Sequence, residues 1–408
     1  MKYYFLLIIL SIISCADDID IRKEFDKTDI PAAVMGKVFK NGTMKFYSFG
    51  NEKWDDDTKK ADENTVFDIA SMTKAITSVA ILQLVESGKI SLDDSVSKYI
   101  PEIRDLKIIT KTNFKEPVKA ITIRNLLSHT SGIGYWFTNQ LIANDIQNDT
   151  RIDYWPKKDQ IKEDEYNWKF SVQPRRAFEA GERWLYGRNL GIAGRIIEKI
   201  SGQNLESYFI ENIFNPLEMN STRFNLTDQM SKRKASVGIR DSITGKIKEN
   251  YKRRNPKFTT DFYGGGGLKS SAKDYAKFLL CLLNNGTLNN YQILKESSVK
   301  LMMEKQLEKY TIKWDSVSSA AISDNNDKMT FLDNADNFSL GWAIETNPNE
   351  KIRPQNTGYW AGIFNSYYTF DPENELAIIY FSQFLPFNDE TSFSLYKKFE
   401  EKIYSEIN

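Results

Sequence analysis

The sequence predicts an α+β fold: one antiparallel sheet drawing strands from both chain ends, flanked by helices, with a mostly helical region inserted between them. Two observations predict it. Strand patterns occupy residues 31–50 and three stretches after residue 337, whereas helical periodicity fills the middle. The turns marked by Asn41–Gly42 and Asp371–Pro372 are short, as antiparallel neighbours require. The sheet-bearing part is expected to take about residues 25–75 and 265–408, and the helical part about 76–264, within one unit covering 16–408.

The chain opens with MKYYFLLIILSIISC, a lysine followed by an apolar run too short to span a bilayer as a helix. It reads as an export signal over residues 1–15. Its ending, Ile12–Ile13–Ser14–Cys15, resembles a bacterial lipobox. Lipidation of Cys15 and a membrane-anchored place in the cell envelope, periplasmic or surface-facing, are therefore expected. PAAVMGKVFKNGTMKFYSFG (31–50) reads as a hairpin, and a polar loop runs on to about Asn64. A helix opens near Ser71, carries Ile76, Val79, Ala80, Ile81, Leu84 and Val85 as an amphipathic set, and stops at Gly88. A short helix follows around Ser91–Ser95, and another begins within Ile121–Leu127. Residues 144–168 form a polar, aromatic insertion. Trp184–Gly202 is a turn and a helix, and Tyr263–Gly286 is a glycine-rich approach into a helix. A polar loop spans 312–337. Strands at 338–346, 366–371 and 375–383 and a helix from Asp389 to Ile407 close the chain.

Composition narrows the chemistry. Lys+Arg and Asp+Glu balance at 55 each, so no net field draws the chain to nucleic acid. Cys281 lies in the apolar run YAKFLLCLLNNG and reads as a core residue, and with Cys15 lipidated no internal disulfide can form. His129 is the single histidine. A multi-histidine metal site is excluded, and any histidine-bearing triad must use that residue. No metal or cofactor is expected, and a hydrolase built here needs a different base.

Ser-x-x-Lys occurs six times, at Ser71, Ser95, Ser231, Ser270, Ser297 and Ser394, so the spacing alone decides nothing. Ser71 is set apart by its place where a polar loop meets a long helix. The unpaired N–H groups and positive dipole end of a helix start stabilise a developing oxyanion. Lys74 lies one turn on, on the same face. An ammonium there lowers the cost of Ser71 O⁻, and a buried lysine loses its proton readily and can act as base. Ser270 also precedes a helix, after a glycine run, but capping by Ser270 or Ser271 accounts for it.

Several stretches in this order resemble the serine β-lactamase and penicillin-binding superfamily, in its class C-like, family VIII carboxylesterase branch. They are IASMTKAIT, LVESGKISLDDSVSKYIPEI, ITIRNLLSHTSGI, GERWLYGRNLGIAGRIIEKISG and GGGGLKSSAKDYAKFL. The resemblance implies the β-lactamase/transpeptidase-like fold, Ser71 as acyl-accepting nucleophile, Lys74 as its partner and Tyr186 as base. The phenolate of Tyr186 is expected to be favoured beside Lys74. It implies a structural role for His129. Two departures stand out. The family's Tyr-x-Asn reads Tyr186–Gly187–Arg188–Asn189 here, leaving Asn189 as a candidate substrate contact. The Lys-Thr-Gly motif has lost its lysine. Trp360–Ala361–Gly362 is the preferred counterpart, with Trp360 and Gly362 at the substrate and the Ile363 N–H joining the Ser71 N–H as oxyanion donors. Asn356–Thr357–Gly358, with the Tyr359 N–H, is the other frame. Either way no cation faces a substrate carboxylate, which favours a neutral ester or acyl substrate. Tyr135, Trp136, Trp155 and Trp184 are candidate pocket walls. The implied activity is that of a carboxylesterase. A D-Ala-D-Ala carboxypeptidase or β-lactamase, or a silent peptidoglycan- or peptide-binding protein on the same fold, are the alternatives.

Overall fold

The computed structural model describes residues 20–54, 56–148, 175–250, 258–308, 312, 331–332, 336–348, 350 and 352–407. Cys15, Trp155 and most of the expected 144–168 insertion and 312–337 loop lie outside them.

Three strands open the fold: β1 (Ala32–Phe39), β2 (Met44–Lys53) and β3 (Asp56–Lys60). A short strand, β4 (Val66–Asp68), leads into helix α1 (Thr73–Glu86). The middle of the chain contributes helix α2 (Asn189–Ser201). A second short strand, β5 (Lys269–Ser271), then leads into helix α3 (Ala272–Leu283). The last third supplies β6 (Asn337–Phe338), β7 (Ala343–Ile344), β8 (Gly358–Gly362), β9 (Ser366–Asp371) and β10 (Leu376–Phe381), then helix α4 (Glu390–Ile407).

Eight strands make one antiparallel sheet in the order β6-β7-β8-β9-β10-β1-β2-β3. The two chain ends meet at its centre, where β1 pairs with β10 from Val34↔Phe381 to Phe39↔Leu376. Central strands are buried on both faces, so they read as apolar runs without polar alternation. Consecutive residues of β9 show the two faces. Tyr367 stacks on Tyr396 of α4 at 4.9 Å between ring centres, while Tyr368 lies 5.5 Å from Tyr275 of α3. The sheet is thus a middle layer with α4 on one side and α3 on the other. The Tyr275 hydroxyl donates to the Met72 carbonyl at 3.1 Å, tying α3 to the start of α1. Among the described residues, no helix is long and apolar enough to cross a membrane.

Three expectations need correction. The stretch 338–346 is not one strand but folds back on itself, Asn337–Phe338 pairing with Ala343–Ile344. The segment after the hairpin is not all loop, because Asp56–Lys60 adds an edge strand. Its sequence, DDTKK, has no apolar alternation to reveal it, and such charge is how an open edge is kept from pairing with another chain. Helix α1 is not amphipathic either. Every residue from Thr73 to Leu82 is buried, polar ones included, so the helix runs through the core.

Candidate active site

Ser71 sits in a single 3₁₀ turn, Ala70–Met72, that runs directly into α1. The turn is pinned on several sides. β4 pairs with β5 (Phe67↔Ser270), Ile69 N–H donates to the Leu268 carbonyl at 3.1 Å, and Gln383 Oε1 accepts the Asp68 N–H at 2.6 Å. Ala70 is held at φ +43°, a region costly for a residue with a Cβ, which turns the Ser71 backbone out of the strand direction. Ser71 itself is only partly buried, so its hydroxyl can be reached.

Lys74 and Tyr186 converge on that hydroxyl. Lys74 Nζ is 3.0 Å from Ser71 Oγ, and the Tyr186 hydroxyl donates to the same oxygen at 2.7 Å. Lys74 Nζ also lies 4.8 Å from the centre of the Tyr186 ring. A second bond from Nζ goes to the Gly265 carbonyl. The sequence reading missed this acceptor. Its signal was the glycine run itself, since an added Cβ at Gly266 would lie 3.4 Å from the Ala70 carbonyl carbon.

The other five Ser-x-x-Lys pairs separate cleanly from this one. Lys98, Lys234, Lys273, Lys300 and Lys397 each lie within 4 Å of a carboxylate, on Asp94, Asp68, Glu63, Glu296 and Glu400 respectively. Lys74 has no carboxylate partner among the described residues, is 0% exposed, and alone touches its own serine. Ser270 bonds to Thr222 Oγ1 at 2.8 Å, and Ser271 caps α3 by accepting the Asp274 N–H at 3.2 Å. Cys281 is buried, and burial pushes its thiol up to about 12.

The same burial sets the site's protonation. Desolvation drives the Lys74 amine well below the usual lysine range. It drives the Tyr186 phenol up, and hydrogen bonding with Ser71 and the Trp360 side chain offsets only part of that rise. The expected phenolate is therefore disfavoured, and burial favours the uncharged form of both the amine and the phenol.

Trp360 packs on Tyr186 with ring centres 5.2 Å apart. An added Cβ at Gly362 would lie 2.5 Å from the Ile69 carbonyl oxygen and 3.5 Å from Ala70 Cβ, so the C-terminal end of β8 lies against the Ser71 turn. Ile363 follows at once, and neither its amide nor that of Ser71 meets an acceptor among the described residues. The alternative frame lies at the N-terminal end of β8. Asn356 is exposed and the Tyr359 hydroxyl is bonded to buried Asp336. Tyr135 and Trp184 border Tyr186, at 5.4 and 6.3 Å between ring centres, whereas Trp136 packs on Phe137. The Tyr135 hydroxyl meets that of Tyr263 at 2.8 Å, a neighbour the sequence did not single out.

Asn189, expected at the substrate, is fully buried and its amide is spent inside the protein. Nδ2 is 2.8 Å from His129 Nδ1 and 3.2 Å from the Ile133 carbonyl, and Oδ1 accepts from the Ser131 hydroxyl. A cavity of about 560 Å³ lies at the far end of α1, lined by Gln83, Ser87, Gln203, Glu211 and Tyr291, and contains none of these residues.

Known proteins share both fold and sequence. The family model described as Beta-lactamase matches residues 21–398. A monacolin J acid methylbutanoyltransferase of Aspergillus terreus is 27% identical over 354 residues, 83% of this chain and 81% of that one. A lovastatin esterase of Penicillium rubens is 30% identical over 257 residues, 59% of each chain. The solved structure of simvastatin synthase (LovD) from Aspergillus terreus superposes with a TM-score of 0.79 at 25% identity, covering 95% of this chain and 96% of that one. Relatives on this fold thus include both acyltransferases and esterases. With its two-ended antiparallel sheet and a serine at the start of a buried helix, the chain belongs to the β-lactamase family.

Proposed function

We propose that the protein is a serine acyl-transfer enzyme of the carboxylesterase type, with Ser71, Lys74 and Tyr186 as its reacting groups. One observation carries the reading: a fully buried lysine with no counter-ion among the described residues shares a serine oxygen with a tyrosine. A neutral amine at Lys74 can keep one N–H on the Gly265 carbonyl and offer its lone pair to the Ser71 proton. As Ser71 Oγ bonds to the acyl carbon, its proton moves to Lys74. The carbonyl electron pair goes to oxygen, next to the Ser71 and Ile363 amides. As the C–O bond breaks, the Tyr186 phenol gives its proton to the departing alkoxide, and the Lys74 ammonium restores the phenol. The acyl-enzyme then passes to water or to an alcohol by the reverse sequence. Uncharged Trp360 and the missing motif lysine support a neutral acyl group, as do the acyl esters in the relatives' names.

The direct test uses purified protein, p-nitrophenyl butyrate and a fluorophosphonate probe. Wild-type protein is expected to turn over the ester and to label covalently, with both lost in Ser71→Ala. Failure of the wild type to label would favour a silent binding protein. Efficient cephalosporin turnover would favour a β-lactamase. Adding an alcohol and measuring the ester formed separates transfer from hydrolysis.

Gly362→Ala tests the oxyanion arrangement. The new methyl cannot coexist with the Ile69 carbonyl 2.5 Å away, so the end of β8 must move off the Ser71 turn. The loss of kcat is expected to be about 10²-fold, the scale of removing one oxyanion donor. Kinetics beside a thermal melt check it; unchanged kcat would exclude the Ile363 amide.

A further inference from the structure

His129, the chain's single histidine, is fully buried and takes no part in the proton path above. Yet it receives a hydrogen bond from each residue that flanks Tyr186. The Leu185 N–H donates to the His129 carbonyl at 2.8 Å, and the Gly187 N–H donates to Nδ1 at 3.2 Å. Asn189 Nδ2 is a second donor to Nδ1, at 2.8 Å. A ring nitrogen that receives two N–H groups carries no proton, so the imidazole is neutral with its hydrogen on Nε2. That Nε2 has no hydrogen-bond partner among the described residues. The ring is packed instead among Tyr186, Phe338 and Trp184, at 4.8, 5.3 and 6.3 Å between centres. The His129 backbone sits at φ +56°, which brings carbonyl and side chain to bear on the same segment. Burial pushes the imidazole well below its usual range, in keeping with a neutral ring.

We infer that His129 is a positioning residue for Tyr186, clamping the backbone on both sides of the tyrosine so that its phenol oxygen meets Ser71 Oγ. The Tyr186 carbonyl, which accepts from Thr138 Oγ1 at 2.8 Å and from the Tyr135 N–H at 3.3 Å, completes the hold. Only the Nδ1 contact depends on the side chain. Its loss strands two buried donors, on Gly187 and Asn189. It also frees the segment to drift by the ångström that costs a reacting group about 10²-fold.

This inference rests on the reading of Tyr186 as a reacting group. Its test compares His129→Asn, His129→Gln and His129→Leu on an alkyl ester, whose leaving group needs the Tyr186 proton, with kcat expressed per site titrated by the fluorophosphonate so that unfolded protein does not count. Asparagine places Oδ1 where Nδ1 stood and tolerates a positive φ; glutamine has similar polarity but puts its oxygen one bond too far. His129→Asn is expected to retain kcat within about 5-fold. His129→Gln and His129→Leu are expected to lose about 100-fold in kcat, with KM changed less than 3-fold. Equal losses in all three variants, or near wild-type kcat in His129→Leu, would overturn the clamp. If Tyr186→Phe also keeps full activity, the underlying role of Tyr186 has failed; if it does not, only the clamp has.

Discussion

Lys74→Met is expected to lose about 10³-fold or more in kcat/KM and yet to unfold at a higher temperature than the wild type. The first effect follows from removing the only amine that touches Ser71 Oγ among the described residues. The second follows from what burial does to that amine. Lys74 is completely enclosed, and no carboxylate among the described residues balances a charge there. Its folded pKa is therefore lowered well below the ordinary value, while the unfolded chain keeps the ordinary one of about 10.4. Below that pH the unfolded state binds the extra proton, so stability falls as pH drops, down to the folded pKa. Neutral pH lies well below the unfolded value, so the wild type carries the penalty there. Methionine has a similar reach and nothing to desolvate, so a gain on the order of 1–2 kcal/mol is expected. Thermal melts at pH 7 and pH 9.5 check it. The variant's advantage should shrink at the higher pH, and a variant less stable than wild type at pH 7 would mean that Lys74 is charged and satisfied.

The parts of this site legible in the sequence are those written locally. Ser71 and Lys74 share one helical turn, and the loop-to-helix junction set them apart from five other pairs of equal spacing. The sheet was legible because hairpin turns and apolar strands mark it at both ends of the chain. What stayed hidden depends on contacts between distant segments. The ionisation of Tyr186 is set by Trp360, Tyr135 and Trp184 closing over it, and no window around residue 186 reports that burial. Asn189 was a candidate substrate contact only through its likeness to the asparagine of the family's Tyr-x-Asn motif. The loop Ser131–Ile133 and His129, some sixty residues earlier, use up its amide. The Gly265 carbonyl is a backbone group, so its residue type could mark only a close approach, not the lysine it receives. The charged strand β3 carries no apolar signal at all.

Tyr186→Phe is expected to lower kcat/KM by about 10²–10⁴-fold on an alkyl ester, and much less on a p-nitrophenyl ester. The contrast comes from the leaving group. An alkoxide needs a proton as it departs, and in the proposed sequence Tyr186 supplies it; p-nitrophenolate leaves as a stable anion. Phenylalanine keeps the ring that packs on Trp184 and Trp360 and removes only the hydroxyl, 2.7 Å from Ser71 Oγ. The fold should therefore survive, and a thermal melt within a few degrees of wild type would establish that. The pH profile assigns the base. If Lys74 takes the serine proton, activity is lost as pH falls through its depressed folded pKa, because the charged amine has no lone pair to offer. The Phe variant then keeps the same acid limb at reduced height. Burial pushes the Tyr186 phenol upward, so the wild type should show no alkaline loss below about pH 10, the ordinary tyrosine value. Disappearance of the acid limb in the variant, or an equal loss on both esters, would instead make Tyr186 the base that activates Ser71 and leave Lys74 as its electrostatic support.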